Sequence, residues 1–471
     1  MKLTNKFLIG FMAIAACGCG QKQSDNPLLN DFTTPYGIAP FEEITIDNYR
    51  EGILLGMEEQ KAEIEAIINN PEEPTFQNTI VAMDQSGKLL RKVSGTFSPL
   101  TSSNSTEESR ALEKELSPLM SAHSDDINLN EKLFARVKKV YDNRENIKLT
   151  PEEKTVLENI YKRFVNSGAE LSETEKEKLR ELNQQLSMLE LTFSQNLLHE
   201  TNNTFVVANS LEELKGLPQA NIDAAAKMAA DNGQPGKWMF NMQRPSCNPV
   251  LQYCENRDLR KKVYDAYYNR GNTGNEYDSK EICRQLVTLR LEKAKLMGYN
   301  NYAEMVLEDR MAKTPEAVFE LLDQVWEPAV AKAKEELDDI RAEIRKEGKN
   351  FEPAGWDYMY YLDKAKRAKY SVDEQEIREY MEINNVMKGV FHVATQLYGV
   401  TFKEITADVP AYEPTAKAYE VIDKDGTVLA IFYSDNYPRE SKRAGAWCTS
   451  FRGQSYDGEE RIIPIVVNST N

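Results

Sequence analysis

The chain is poor in histidine, the commonest metal ligand among side chains. It has three histidines in 471 residues, His123, His199 and His392. A hydrolytic zinc site often takes two of its ligands from the helical pattern His-Glu-x-x-His, and the nearest approach, residues 199–203, has asparagine in place of the second histidine. We therefore predict no metal-binding or catalytic residue in this chain. His199 is interpreted as a polar residue at the end of a helix, His392 as a core or boundary residue, and His123 as a loop residue.

Cysteine is also scarce, with six residues in the whole chain. Beyond the N-terminus these are Cys247, Cys254, Cys283 and Cys448, without Cys-x-x-Cys spacing. Their number and spacing exclude a disulfide scaffold and a cysteine zinc site. One disulfide between Cys247 and Cys254 is an alternative, and free buried thiols are the interpretation we favour.

Positive charge is in deficit. The 58 Lys and Arg face 75 Asp and Glu, which gives a formal net charge of -17. Such a balance argues against nucleic acid as a partner, because phosphates need a basic surface. Two further site patterns fail: residues 453–458 are one residue too long for a nucleophile elbow, and no phosphate-binding glycine loop occurs.

The apolar run at the N-terminus is too short to span a bilayer. Lys2 and Lys6 precede residues 7–14, which are apolar, and this order is typical of a secretory signal. Residues 14–17, Ile-Ala-Ala-Cys, resemble a bacterial lipobox. We therefore expect residues 1–16 to be a lipoprotein signal peptide, Cys17 to be lipidated, and the protein to be anchored by lipid at the bacterial cell envelope, on the periplasmic side or the outer membrane. Cys19 is a second register for lipidation, an ordinary cleaved signal is the alternative, and residues 17–30 are predicted to be a tether.

Amphipathic helical periodicity dominates the rest of the chain. The pattern predicts helices over residues 45–68 and 173–198, the second with a capping box of Ser172 and Glu175. Later predicted helices cover residues 259–269, 281–297, 315–346 and 373–397. The predicted fold class is mostly α, with a small antiparallel sheet near the C-terminus.

Sheet is predicted only over residues 417–471. Residues 418–422 and 427–433 are rich in β-branched and aromatic residues and flank an Asp- and Gly-rich turn, which indicates a hairpin. Residues 462–467 predict a further strand. Because Pro464 lacks an N–H, this strand is expected either to lie at a sheet edge or to open with the proline. An edge could pair with an extended peptide.

Residues 432–447, between the hairpin and the last strand, resemble the M3 family of zinc peptidases, in particular its peptidyl-dipeptidases. In that family a hairpin, a loop carrying Asp, Tyr, Arg and Lys, a Gly-Ala-Trp turn and an edge strand precede the helix with His-Glu-x-x-His. Weaker landmarks occur in the same order along the chain: residues 26–29, 75–80, 163–168, 267–271 and 313–317.

The resemblance implies a two-lobed helical fold, with residues 31–250 as an N-terminal helical region and residues 251–471 as the start of the catalytic domain. It implies that the chain is the N-terminal two-thirds of an enzyme and ends before the zinc-binding helix. The complete enzyme is expected to use zinc, to release C-terminal dipeptides from short unfolded peptides and to be a monomer. Residues 1–471 alone are expected to bind no zinc and to be inactive.

The predicted site residues belong to the substrate channel. They are the loop residues Arg439, Gly445, Ala446 and Trp447 and the predicted edge-strand residues Ile465, Val466, Val467 and Asn468. Asp435, Arg439 and Lys442 are interpreted first as a structural ion-pair network and second as substrate contacts. The alternative function is a non-catalytic helical envelope lipoprotein that binds peptide or glycan.

Overall fold

The computed structural model describes residues 24–371, 373–458 and 460–470. The predicted signal peptide, Cys17 and Cys19 lie outside the described residues. None of the described helices is long and apolar enough to cross a membrane.

The last residues of the predicted tether, residues 26–29, pack against the first helices. A single 3-10 turn, Pro27–Leu29, buries Leu28 completely among the first helices. The Asn26 side chain donates hydrogen bonds to the Asn48 carbonyl and to Glu51. Extending the tether to residue 30 was therefore wrong, because Leu28 supplies apolar area that the core buries.

The N-terminal half is built of helices. The predictions for residues 45–68 and 173–198 are confirmed, and the second helix continues to Asn203. Both begin with the capping boxes that their sequences favour, at Thr45 and Ser172. A six-residue π-helical segment, Phe76–Val81, precedes α2. The helices are α1 Ile46–Ile68, α2 Ala82–Gln85, α3 Lys88–Ser103, α4 Glu107–Asn128, α5 Glu131–Asp142, α6 Pro151–Asn166 and α7 Glu173–Asn203.

In the middle of the chain, the described residues add nine α-helices and a two-stranded ribbon. The elements are β1 Val206–Ala208, α8 Gln219–Asp231, β2 Trp238–Phe240, α9 Arg244–Tyr253, α10 Arg257–Tyr268, α11 Lys280–Leu296, α12 Tyr302–Leu307, α13 Pro315–Lys346, α14 Gly355–Tyr370, α15 Glu374–Tyr380 and α16 Ile383–Tyr398. The prediction of one helix over residues 373–397 was wrong, because the backbone of Glu382 is extended and its side chain caps α16. The ribbon of β1 and β2 was missed, since three residues per strand show too little alternation.

The described residues of the C-terminal part form a five-stranded sheet in the order β3-β4-β5-β9-β6. Its strands are β3 Thr401–Glu404, β4 Lys417–Ile422, β5 Val428–Asp435, β6 Ala446–Arg452 and β9 Ile465–Thr470. Two further strands, β7 Ser455–Asp457 and β8 Glu460–Ile462, form a separate pair. The predicted hairpin is confirmed as β4 and β5. Its turn is closed by a 2.9 Å hydrogen bond from the Asp423 amide to the Thr427 carbonyl, and Gly426 has φ of 89°. The small pair of β7 and β8 lies between β6 and β9 along the chain.

The last strand is not at an edge. β9 lies between β5, to which it is parallel, and β6, to which it is antiparallel. The sheet is therefore mixed, and the prediction of an antiparallel sheet with residues 462–467 as its edge was wrong. The other reading of Pro464 is right: it directly precedes β9, and its carbonyl accepts a 3.0 Å hydrogen bond from the Ile431 amide. A proline that opens a strand leaves the ladder intact.

The N-terminal segment packs on this sheet. Ile38 is fully buried in one cluster with Ile431, Tyr433 and Val467, and Phe41 packs against Tyr412 and Phe451. Gly95 of α3 lies so close to β6 that a Cβ there would come within 2.8 Å of the Phe451 carbonyl oxygen. Contacts from residues 38, 41 and 95 thus help to fix where β6 lies.

The cysteine prediction is confirmed for the favoured alternative. Cys247 and Cys254 are buried, free thiols, and Cys283 and Cys448 are exposed, free thiols. Burial raises the pKa of the Cys247 thiol to about 11, which keeps it unreactive at neutral pH.

Candidate functional site

A buried ion-pair network follows β5. The Asp435 carboxylate, fully buried at the strand end, accepts hydrogen bonds from both terminal nitrogens of Arg439 at 2.8 and 2.7 Å and from Lys442 Nζ at 2.9 Å. The Tyr412 hydroxyl donates to the same carboxylate at 2.8 Å. Lys442 also donates to the carbonyls of Asp435, Tyr437 and Thr470, and its side chain is fully buried.

Each charged side chain of this network has an oppositely charged partner within it. Burial favours the neutral form of Asp435, yet hydrogen bonds from Arg439, Lys442 and Tyr412 outweigh burial and lower the pKa of the carboxyl below its ordinary value. Burial also lowers the pKa of Lys442, although the Asp435 carboxylate opposes that shift. Every charge here has a partner inside the network, so the structural interpretation of Asp435, Arg439 and Lys442 fits the geometry.

The loop that carries the network is attached on several sides. Arg439 Nε donates to the Ser103 carbonyl at 2.9 Å, and the Arg443 amide donates to the Ser102 carbonyl at 3.0 Å, both at the end of α3. The Asn202 side chain of α7 donates to the Glu440 carbonyl at 2.8 Å. These bonds place residues 439–445, and hence the start of β6, against α3 and α7.

The strand β6 is an edge of the sheet, and no described strand pairs with its outer side. The predicted residues Gly445, Ala446 and Trp447 lie at its start, where Gly445 has φ of 115° and the Arg443 guanidinium lies 4.6 Å from the Trp447 ring centroid. The first six residues of β6 are uncharged. Alternate N–H and C=O groups of an edge strand point away from the sheet and can pair with another extended chain.

The predicted residues of β9 have different positions. Ile465 and Val467 are 2% and 1% exposed within the sheet core, and Asn468 is exposed. Because β5 and β6 take up both sides of β9, its backbone cannot receive a peptide. The proposed pairing of a substrate with residues 465–468 was therefore wrong in this form, and the edge that the sheet offers is β6.

A cleft opens beside the start of β6. Its cavity is about 330 Å³, and it lies between the end of α3, α4, α7, the α9 start and the segment 443–445. Four arginines line it, Arg110, Arg244, Arg270 and Arg443, together with one carboxylate, Glu113. The sequence interpretation missed this cleft, and Arg270 was noted only as part of a family landmark. Its lining comes from residues 101–445, so no local spacing indicates it.

None of the three histidines lies in a zinc site among the residues that the structure describes. His123 lies in α4 and contacts Gln60 at 2.8 Å, His199 lies inside α7 stacked on Tyr277, and His392 is exposed on α16. The loop assignment of His123 and the core or boundary assignment of His392 were wrong, and His199 lies one turn before the helix end. No group of three or more His, Cys, Asp or Glu in the described part of the chain is arranged to hold a metal ion. A hydrolytic zinc ion takes about three protein ligands, so we assign no step of hydrolysis to these residues.

Comparison with known proteins gives the family. The family model described as "Peptidase family M3" matches residues 250–471. A dipeptidyl carboxypeptidase of Escherichia coli (strain K12) is 35% identical over 447 residues, which are 95% of this chain and 65% of the relative. The dipeptidyl carboxypeptidase of Salmonella typhimurium is 34% identical over 95% of this chain and 66% of its own length. Oligopeptidase A of Haemophilus influenzae is 30% identical over 90% of this chain and 62% of its own length.

These similarities run through both the N-terminal helices and the C-terminal sheet. Residues 250–471 form a peptidase family M3 domain, and the similarity to the two dipeptidyl carboxypeptidases extends over 95% of the chain. The chain spans 62 to 66% of the length of these relatives. The mostly helical fold with a small C-terminal sheet is consistent with that family.

Proposed function

We propose that this chain is part of a peptidase of the peptidyl-dipeptidase type and that it supplies part of the surface that binds the peptide. The proposal is supported by its 35% identity to a dipeptidyl carboxypeptidase and by the open edge of β6. The substrates would be short unfolded peptides, from which the complete enzyme releases C-terminal dipeptides.

The single observation that carries the proposal is the character of β6. Natural edge strands are usually short, charged or covered, which prevents pairing with other chains. β6 has seven residues, and its only charged residue is the last, Arg452. Such an edge can take an extended peptide as an added strand.

Pairing of this kind fits a peptidase of broad tolerance. The hydrogen bonds of an added strand come from backbone groups, which every peptide has. Side chains of the peptide would point alternately to the two faces of the sheet, and one of those faces near β6 is covered by α3. The surface would therefore align a substrate without selecting strongly for its sequence.

We also propose that the activity depends on zinc, as the family resemblance implies. The 471 residues contain no His-Glu-x-x-His sequence, so residues 1–471 alone would bind no zinc in stoichiometric amount and would cleave no peptide. Metal analysis of the dialysed chain is the check, and one zinc per chain would overturn this part of the proposal.

The location is a separate proposal. We propose lipidation of Cys17 and a place at the cell envelope, on the basis of the N-terminal sequence. Labelled fatty acid should enter the wild-type chain and not the Cys17→Ala variant. Equal labelling of the two would contradict it.

Hydrogen exchange of the 471-residue chain tests the peptide-binding surface. With a saturating short peptide, amides of β6 should exchange more slowly, because outward N–H groups gain partners. The other edge strand, β3, is the internal control and should not change. Protection of β3 alone, or no protection of either edge, would overturn the proposal.

A further inference from the structure

The cleft beside β6 is positively charged in a strongly acidic protein. The chain has a formal net charge of -17, yet the lining of this cavity has four guanidinium groups and one carboxylate. A smaller cavity of about 270 Å³ adjoins it and shares Leu197 and Arg270. The charge of this region therefore opposes that of the whole protein.

Arg270 is held in a defined orientation. Its Nε donates to the Tyr267 carbonyl at 2.9 Å and one terminal nitrogen donates to Thr201 Oγ1 at 2.7 Å. Its guanidinium also lies 4.0 Å from the Tyr267 ring centroid. The next residue, Gly271, donates its amide to the buried Glu200 carboxylate, which also accepts from Thr273 and Asn275. Arginine has five N–H donors, so Arg270 is fixed with donors left for a ligand.

Two more of the four arginines, Arg110 and Arg244, have neutral hydrogen-bond partners. Arg110 donates to Ser105 Oγ at 3.2 Å, and the Arg244 side chain lies against the hydroxyl of Tyr267. Among the described residues, neither they nor Arg270 form an ion pair with a carboxylate. Burial raises the pKa of the Glu113 carboxyl in the same cleft, although Thr101, Gln195 and the charge of Arg110 oppose the rise. The cleft thus has an excess of positive charge.

We propose that this cleft binds a carboxylate group of the peptide substrate through Arg110, Arg244 and Arg270. Guanidinium groups match carboxylates in geometry and form hydrogen bonds stronger than those between neutral groups. The cleft is also continuous with the edge strand: Arg443, Ala444 and Gly445 line it, and Ala446 begins β6. A peptide paired with β6 would reach the arginines at the Ala446 end.

This inference rests on the proposed function, and it adds the chemical group by which the peptide is recognised. The carboxylate has two sources, the C-terminus of the peptide and an acidic side chain near it. The C-terminus would orient the chain on β6, because one end of every peptide would then be fixed in the cleft. An acidic side chain would instead make the enzyme prefer acidic sequences.

Calorimetric titration of the 471-residue chain with three matched peptides tests the inference. The first has a free C-terminus and one glutamate, the second has an amidated C-terminus, and the third has glutamine in place of the glutamate. We expect one of the two altered peptides to bind about tenfold more weakly, since a lost charged hydrogen bond costs ~1.5 kcal/mol or more. Weaker binding of the amide identifies the C-terminus as the source, and weaker binding of the glutamine peptide identifies the side chain.

Two substitutions assign the effect to the cleft. Arg244→Gln alters an exposed arginine, and Arg270→Gln alters the anchored one; each should weaken the carboxylate-containing peptide and reduce the difference between it and its uncharged form. Arg284→Gln, which changes an exposed arginine of α11 paired with Glu281, is the matched control and should have no effect. Because Arg270→Gln could disturb the loop after α10, Arg244→Gln keeps the test independent of folding.

The outcomes separate this inference from the proposed function. If all three peptides bind equally well and still protect β6 from hydrogen exchange, the peptide-binding surface stands and the carboxylate site is wrong. If none of the three binds, both are wrong.

Discussion

The sheet of this M3 family domain has two edges among the described strands, and they differ in length, charge and support. β3 has four residues, two of them charged, and Phe402 stacks on Phe391 of α16 with ring centroids 4.1 Å apart. β6 has seven residues, is uncharged up to Arg452, and follows the loop whose Lys442 forms a fully buried ion pair with Asp435. The β3 edge has the features by which proteins prevent strand addition, and the β6 edge lacks them. The comparison indicates that a long, uncharged edge such as β6 is tolerated where ion pairs and hydrogen bonds hold the preceding loop in place.

The largest expected effect comes from breaking the support of β6. Lys442→Met should destabilise the chain by about 3–5 kcal/mol, because it removes one partner of a buried pair and leaves three backbone carbonyls without their donor. Lys403→Met is the matched control on β3, where the pair with Glu420 is 3.4 Å long and Lys403 is 64% exposed; it should cost less than about 1 kcal/mol. Urea unfolding measures both. Equal losses would mean that the two edges do not differ in support.

Acid should act on the same network. The lowered pKa of Asp435 stabilises the folded state fully above the ordinary aspartate pKa of about 3.9, and this stabilisation is lost as pH falls through the lower folded value. We therefore expect this contribution to be constant from pH 7 to 5 and to decline below about pH 4. Hydrogen exchange should show β6 losing protection before β3, whose stacked rings carry no charge. Earlier opening of β3 would contradict the assignment.

A charge placed on β6 should make it resemble β3. Ser450 is exposed on β6, so Ser450→Lys should change stability by less than about 0.5 kcal/mol and weaken peptide binding about tenfold, because a lysine discourages strand addition. Ser450→Thr keeps the strand uncharged and should bind peptide like the wild type. Calorimetric titration with a short peptide measures the affinity of both variants. If the lysine variant binds the peptide as tightly as the wild type, the peptide does not pair with β6.

The smallest effect concerns thiol accessibility. Cys448 is exposed on β6, and a peptide paired with that strand should slow its alkylation a few-fold by covering the side chain. Lys403→Cys supplies a matched thiol on β3, which should react at the same rate with and without peptide. Peptide mapping gives both rates in one sample. Slowing at both positions would indicate a general change in the protein instead of pairing at β6.

The sequence predicted regular structure where the pattern is long and capped. The helix 315–346 was predicted with the bounds it has, and the capping box at Ser172 placed the start of α7. Periodicity does not say what covers a helix, however: Phe319 and Trp326 of α13 are 61% and 69% exposed. It also could not show the break at Met381 and Glu382, two residues that separate two helices of the same period.

The site was predicted only in part. Asp435, Arg439 and Lys442 were found because they are close in sequence, within the reach of one loop. The position of β9 was missed because a parallel pair joins strands that are distant along the chain, so that no turn fixes its order. The arginines of the cleft were missed for a similar reason: they come from α4, α9, the loop after α10 and the segment before β6, and only the folded chain brings them together.

The attachment of the N-terminus to the sheet has a consequence for synthesis. Arg439 binds the Ser103 carbonyl across 336 residues, and Arg452 binds the Tyr36 carbonyl across 416 residues. A ribosome adds roughly 5–20 residues per second, so the first helices emerge tens of seconds before the strands that they support. Contacts of such separation make folding slow, since the closure entropy is lost before the contact forms. Until the strands are synthesised, the apolar residues Ile38 and Phe41 lack the sheet residues that bury them. We expect a chaperone that binds exposed apolar segments to act on the chain in this interval.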